Sequence, residues 1–133
     1  MPLYQQTREF LKRTGRRPKK KLGQHFLIDS TVLQEIVWAS ELTDADFVLE
    51  IGAGLGFLTA ALSAHAKKVV AVELDQVFFA ELQSKFADSP HVTPIQANIL
   101  KLNLLPLLQD FPKKHTKVVA NLPYYITTPV LWK

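Results

Sequence analysis

Cysteine is absent from the 133-residue sequence. Without a thiolate, the protein cannot form disulfides, bind zinc or an iron–sulfur cluster through cysteine, or use a cysteine nucleophile. The sequence also lacks an apolar run near the roughly 20 residues of a membrane span, and its N-terminus has no apolar signal core. His65, His91 and His115 show no metal-ligand spacing and are expected at the surface. We therefore expect a cytoplasmic protein with no membrane partner and no metal site.

Positive charge is concentrated at the N-terminus. Residues 1–25 hold eight Lys or Arg and one acid, a net charge of +7, whereas the rest of the chain has a net charge of −3. A basic segment before a mildly acidic body favours a polyanionic partner, and a solvated terminal tail is the alternative. We expect residues 1–21 to form an irregular basic arm, with Gly15 and Pro18 as breakers, and residues 22–133 to form the body.

Apolar residues in the body alternate between strand-like runs and helix-like periods. A helix is predicted from about Ser30 and another across residues 77–86, and we expect Trp38 of the first to lie in the core. This alternation predicts an α/β fold, with a parallel sheet covered by helices on both faces. Because the sequence stops soon after Pro129, which is well placed to open a helix, we expect a chain truncated after the fourth strand. The four predicted strands are the apolar runs 47–51, 69–72, 92–97 and 117–120.

A glycine-rich turn follows the first predicted strand. Gly52, Gly54 and Gly56 allow a tight turn and the close approach of a ligand to the backbone. Glu73 ends the second apolar run, 21 residues after Gly52, where an acid suits the binding of ribose hydroxyls. Together these features predict a nucleotide-type cofactor at the carboxyl ends of the strands. A plain tight turn is the alternative.

The spacing of the glycines distinguishes between cofactors. It is Gly-x-Gly-x-Gly, rather than the Gly-x-Gly-x-x-Gly of dinucleotide-binding proteins. S-adenosylmethionine has no phosphate and carries positive charge on its sulfonium and amino groups. Glu50, two residues before Gly52, would complement that charge directly or by orienting the loop, and a carboxylate that only braces the loop is the alternative. The pattern therefore favours S-adenosylmethionine.

A second polar motif, Asn121-Leu122-Pro123-Tyr124, directly follows the fourth predicted strand. The amide oxygen of Asn121 and a nearby backbone carbonyl can accept both hydrogens of an adenine amino group. Pro123 stiffens the turn, and Tyr124 offers a face on which a base can stack. The motif thus indicates methyl transfer to adenine, helped by positioning and electrostatics. A turn with a locally bonded asparagine is the alternative.

Several motifs, found in this order, resemble those of the bacterial type of the small-subunit ribosomal RNA adenine dimethyltransferase family. The resemblance covers about residues 19 to 133 and implies a Rossmann-like class I S-adenosylmethionine-dependent methyltransferase fold. It implies transfer of two methyl groups to each of two adjacent adenosines near the 3′ end of small-subunit rRNA. The partner implied is this rRNA or a pre-30S-type particle, and the intact protein is expected to be monomeric. The motifs are KKLGQHFL at 20–27, EIGAG at 50–54, ELD at 73–75 and NLPYYITTP at 121–129.

The family's site residues carry over by position. The resemblance places Asn121 between cofactor and target amine, with Pro123 beside it and Tyr124 on the base. Asn98 stands where the family usually has an aspartate that touches the cofactor's adenine. The cofactor-binding set that the resemblance implies is His25, Leu27, Gly52, Gly54, Glu73, Asn98 and Asn121.

Length is a second departure from the family. Family members continue through further strands, a late aromatic segment and a small helical domain. We therefore expect the intact protein to be an enzyme and this chain by itself to be inactive.

Three competing hypotheses differ in class. A nicotinamide-dependent oxidoreductase is disfavoured by the glycine spacing and by the Asn121 motif. A non-catalytic RNA-binding or transcription-factor relative is disfavoured by the intact Glu73 and Asn121 positions. A relative that methylates large-subunit rRNA is disfavoured by the Leu-Gly-Gln-His-Phe-Leu stretch and by Leu122.

Overall fold

The structure is a computed structural model, and it describes residues 3–15 and 30–120. The described part of the chain forms one parallel sheet with strand order β3-β2-β1-β4. The strands are β1 (Phe47–Ile51), β2 (Lys68–Glu73), β3 (Val92–Gln96) and β4 (Thr116–Ala120). The helices are α1 (Leu3–Thr14), α2 (Ser30–Ala39), α3 (Phe57–Ser63), α4 (Gln76–Lys85) and α5 (Leu104–Leu108), with a 3₁₀ turn at Lys113–His115. This arrangement confirms the predicted α/β fold.

The central strands β1 and β2 are covered on both faces, which explains why they read as continuous apolar runs. On one face, Val48 and Val69 pack with residues of α2, α3 and α4. On the other face, Leu49 and Val70 pack with Phe111, and side chains of α5 pack against this cluster. Leu49 pairs with Val70 in β2 and with Val118 in β4. The sheet therefore separates two apolar clusters, one on each of its faces.

Local signals set the ends of the elements. The Asp75 side chain caps α4 by accepting hydrogen bonds from the amides of Val77 and Phe78, at 2.9 and 3.1 Å. Pro94 lies in β3, an outer strand of the described sheet, where a missing backbone donor is tolerated. In the described residues, no helix has the length and apolar content needed to cross a membrane.

The structure corrects two expectations from the sequence. Residues 3–14 form a helix rather than irregular chain, because Leu3, Thr7, Phe10 and Leu11 recur at helical spacing and face the body. Trp38 is not in the core, since its side chain is 85% exposed. Helix α2 turns its Leu33 face inward, and Trp38 points away from that face.

Candidate functional site

The glycine loop, residues 52–56, joins the carboxyl end of β1 to helix α3. Its three glycines have positive φ angles of 77°, 58° and 85° at Gly52, Gly54 and Gly56. The amides of Gly52 and Ala53 both donate to the carbonyl of Val72, at 2.9 and 3.1 Å. The loop is therefore held beside the end of β2, in the place where α/β proteins bind their ligands.

Glu73 joins this loop through its side chain. Oε1 accepts from the Gly54 amide at 2.7 Å, and Oε2 accepts from the Asp75 amide at 2.8 Å. Burial raises the pKa of the Glu73 carboxyl, while hydrogen bonds from the Gly54 and Leu74 amides act in the opposite direction. A carboxylate has about four acceptor sites, so with these amide donors it keeps at least one site for a hydroxyl donor. The structure thus brings together three of the predicted cofactor residues: Gly52, Gly54 and Glu73.

Glu50 lies in β1, just before the loop, and is buried. Its residue exposure is 1%, and Oε1 accepts a hydrogen bond from the Thr59 hydroxyl of α3. Burial raises the pKa of Glu50 to about 8; the Thr59 hydrogen bond lowers it, and the charge of Glu73 raises it. Glu50 therefore joins β1 to α3, the two elements that flank the loop, and its buried carboxyl group is not exposed to a ligand. Thr59 was missed from sequence, although a polar residue within the apolar run Phe57–Leu62 is the signal for it.

The outer side of the loop packs on helix α4. A Cβ at Gly56 would lie 2.9 Å from both Leu82 Cδ1 and Phe86 Cε2, so only glycine fits there without a shift of its neighbours. The Nζ of Lys85 donates to the Leu55 carbonyl at 3.4 Å and lies 4.6 Å from the centre of the Phe57 ring. Sequence reasoning also missed Lys85, because this contact joins residues 30 positions apart.

Asn98 follows the third strand at the same edge of the sheet. The amide of the preceding residue, Ala97, donates to the Glu73 carbonyl at 3.1 Å. The Asn98 side-chain oxygen accepts from the Leu100 amide at 3.0 Å, so it stabilises its own turn. That oxygen keeps a second acceptor site. Asn98 therefore lies near the end of β2, and its contact with a cofactor stays a prediction.

The remaining predicted site residues lie outside the described residues. These are His25, Leu27, Asn121, Pro123 and Tyr124. Strand β4 ends at Ala120, which pairs with Ile51 directly before the glycine loop. In the described part of the chain, no group of three or more His, Asp or Glu side chains is placed to hold a metal ion.

Comparison with known proteins first defines the class. The chain superposes on a 23S rRNA methyltransferase, ErmE, with a TM-score of 0.69 and 28% identity over 80% of this chain and 41% of that one. It matches a dimethyladenosine transferase from Plasmodium falciparum with the same TM-score of 0.69 and 30% identity, over 82% of this chain and 38% of that one. The fold is that of the class I S-adenosylmethionine-dependent methyltransferases.

The sequence comparisons then give the family. The model of the ribosomal RNA adenine dimethylase family matches residues 15–133, and the chain belongs to this family. One relative is the ribosomal RNA small subunit methyltransferase A of Leuconostoc mesenteroides, which is 45% identical over 127 residues. That match covers 94% of this chain but 43% of the relative, so the chain spans less than half the length of its relative.

Proposed function

We propose that the whole protein is an S-adenosylmethionine-dependent enzyme of ribosome biogenesis in the cytoplasm. In this proposal it dimethylates the exocyclic amino groups of two adjacent adenosines near the 3′ end of small-subunit rRNA. Membership of the adenine dimethylase family supports the reaction, and the name of the Leuconostoc relative supports the small subunit as the target. The 133-residue chain contributes the predicted cofactor residues and the Asn-Leu-Pro-Tyr motif.

The observation that carries the proposal is the hydrogen bond between Gly54 and Glu73. It places an acid with remaining acceptor sites directly beside a backbone turn that a ligand can approach closely. A Cβ built at Gly54 meets no atom of the described residues within 4 Å, so these residues leave space next to the loop. Leu74, the next residue after Glu73, is 58% exposed and offers an apolar surface at the same edge. These residues fit a nucleoside with a ribose and a flat base.

The chemistry needs positioning more than acid–base catalysis. When bound, S-adenosylmethionine supplies an electrophilic methyl group. The adenine amine is a weak nucleophile, because its lone pair is delocalised into the ring. We assign to Asn121, and to a backbone carbonyl of Leu122 or Pro123, the task of accepting the two amine hydrogens, which turns the lone pair towards the methyl carbon. Tyr124 would hold the base by stacking, worth about 1–3 kcal/mol.

Binding of the rRNA is assigned to the basic arm. Eight of the 16 Lys and Arg residues of the sequence lie within residues 1–25. Phosphate contacts from such a segment release counterions, so affinity for rRNA should fall steeply with salt. Removal of residues 1–21 should make rRNA affinity less dependent on salt concentration. An unchanged salt dependence would indicate that the arm is a solvated tail.

Calorimetric titration of the 133-residue chain with S-adenosylmethionine is the direct test of the cofactor. NADH serves as the control ligand, and circular dichroism confirms that the chain is folded. We expect saturable binding of S-adenosylmethionine and none of NADH. Binding of NADH alone would favour the oxidoreductase hypothesis.

The reaction itself is tested on the full-length protein with under-methylated small subunits. We expect methyl transfer to small-subunit rRNA and not to large-subunit rRNA. Binding of rRNA without cofactor binding or methyl transfer would instead identify the non-catalytic RNA-binding relative.

A further inference from the structure

Helix α1 contacts the glycine loop. Phe10 of α1, Leu55 of the loop and Phe78 of α4 form one buried cluster, with exposures of 4%, 6% and 2%. The rings of Phe10 and Phe78 lie 5.4 Å apart between centroids and are tilted by 47°. The N-terminal helix therefore packs on an apolar side chain of the glycine loop, next to the predicted cofactor residue Gly54.

A polar contact fixes α1 in this place. Arg13 Nη2 lies 3.1 Å from Glu81 Oε2 on α4, and its guanidinium lies 5.5 Å from the centre of the Phe10 ring. Arg8 and Lys12 lie one turn apart on the exposed side of the same helix. One side of α1 thus packs on the body while the other carries basic residues.

Leu55 is well placed to transmit the position of α1 to the cofactor loop. Its neighbours in sequence are Gly54, whose amide binds Glu73, and Gly56, which is packed against α4. Both glycines adopt positive φ angles, so the conformation of this turn depends on the contacts that hold it, and the packing of the Leu55 side chain is one of them. Without Phe10, the Leu55 side chain would lose part of its apolar contact, and the Gly54 amide would be less firmly aimed at Glu73.

We propose that Phe10 is a positioning residue of the cofactor site, which acts through Leu55 on the Gly54–Glu73 hydrogen bond. The arm then serves cofactor binding as well as RNA binding. The inference deepens the proposed function and rests on S-adenosylmethionine being the ligand of this loop. It differs from a role in RNA binding alone, because it predicts a loss of cofactor affinity when no RNA is present.

The test compares Phe10→Ala with Leu3→Ala in the 133-residue chain. Leu3 is also an apolar residue of α1, but it packs against the main core cluster rather than the Leu55 cluster. We expect Phe10→Ala to weaken S-adenosylmethionine binding at least fivefold by calorimetry and Leu3→Ala to change it less than twofold. Equal affinities of folded wild type and Phe10→Ala would overturn the inference. Phe10→Leu provides a milder change if Phe10→Ala does not fold, and an unaltered affinity there would have the same meaning.

The NMR chemical shifts of the glycine amides give a second measurement. A loss of stability alone would not change these shifts in the folded protein. The sequence contains five glycines, three of them in the loop, so ¹⁵N-glycine labelling gives a short spectrum. Phe10→Ala should shift the Gly54 and Gly56 resonances, whereas Leu3→Ala should leave them in place. Unshifted resonances in Phe10→Ala would contradict the inference. If wild type shows no affinity for S-adenosylmethionine, the proposed function fails, and the resonances still decide whether Phe10 positions the loop.

Discussion

The backbone amide of Gly54 donates to Oε1 of Glu73 at 2.7 Å, across 19 residues of sequence. This hydrogen bond joins the turn after β1 to the end of β2, the two features from which the sequence predicted a cofactor. The second oxygen of Glu73 is bound to the Asp75 amide at 2.8 Å, so the carboxylate is fixed at both ends. A fixed acceptor loses little further freedom when a ligand binds, which favours affinity.

Glu73→Gln should weaken S-adenosylmethionine binding about 10- to 100-fold. A glutamine offers one oxygen and one NH₂ group, so it cannot accept from both amides, and hydrogen bonds to a charged acceptor contribute roughly 1.5–3 kcal/mol. Calorimetry measures the change. Glu35→Gln on the exposed side of α2 is the matched control and should bind as wild type does. A Glu73→Gln affinity within twofold of wild type would remove Glu73 from the cofactor site.

Gly56→Ala should destabilise the fold by about 2–5 kcal/mol, which combines backbone strain with overpacking. The φ angle there is +85°, and the new methyl group would lie 2.9 Å from Leu82 and Phe86 atoms. Gly15→Ala is the control, because its φ is +69° but its Cβ would meet no atom of residues 3–15 and 30–120 within 4 Å. Urea unfolding should give Gly15→Ala a loss of only about 1 kcal/mol. Equal losses in the two variants would show that the Leu82 and Phe86 contacts are not restrictive.

Glu50→Gln should stabilise the protein at alkaline pH. Burial raises the pKa of Glu50 to about 8 in the folded state, against a usual value of 4.5. Between these values the unfolded chain has lost a proton that the folded chain keeps, so wild-type stability falls as pH rises. Glutamine does not ionise. The free energy of unfolding of Glu50→Gln should therefore exceed that of wild type by an amount that grows from near zero at pH 4.5 to on the order of 2–4 kcal/mol at pH 8.

Urea unfolding of wild type and Glu50→Gln across this pH range measures the effect. Glu35→Gln serves again as the control, and its difference from wild type should be small at every pH. A Glu50→Gln advantage that does not change with pH would mean that Glu50 is ionised in the folded protein.

Asp46 should show the opposite pH dependence. Burial raises the pKa of Asp46, but hydrogen bonds from the Thr43 amide, Lys117 and His115, with the charge of Lys117, bring it below the usual 3.8. The Thr43 amide lies 2.7 Å from Oδ2, while Lys117 Nζ and His115 Nδ1 each lie 3.3 Å from a carboxylate oxygen. The resulting stability is present above pH 3.8 and is lost as pH falls through the folded-state pKa.

At pH 7, Asp46→Asn should cost about 1–3 kcal/mol of unfolding free energy. The difference from wild type should narrow as the pH falls below 4, because the wild-type carboxyl is then protonated too. Asp44→Asn, in the same loop but exposed, is the control and should be nearly neutral. A loss for Asp46→Asn that stays constant down to pH 3 would contradict the assigned ionisation.

All four strands were predicted. The signal is strongest in β1 and β2, which are apolar runs buried on both faces, whereas β3 and β4 are partly exposed. The loop glycines and Glu73 were predictable because strand ends in a parallel sheet share one edge. Helix α1 was not, since its basic residues hid the spacing of Leu3, Phe10 and Leu11. Leu55 and Phe78, against which Phe10 and Leu11 pack, are also distant in sequence. The burial of Glu50 was missed for a similar reason, because Thr59 satisfies its side chain only once α3 packs on β1.

Asn121→Ala in the full-length protein should lower methyl transfer about 10²- to 10³-fold, the loss typical when one hydrogen-bonding group is removed from a reacting centre. Cofactor affinity should stay within about threefold of wild type, because Glu73 and the glycine loop are unchanged. Transfer of labelled methyl groups to under-methylated small subunits measures the first quantity, and calorimetry measures the second.

Asn103→Ala is the matched control for Asn121→Ala. The Asn103 side chain accepts a hydrogen bond from the Leu105 amide at 3.2 Å, at the start of α5. That variant should lose about 1 kcal/mol of stability and keep its activity. Methylation retained by Asn121→Ala would show that the amine hydrogens are accepted elsewhere, since no other side chain of the Asn-Leu-Pro-Tyr motif carries an amide oxygen.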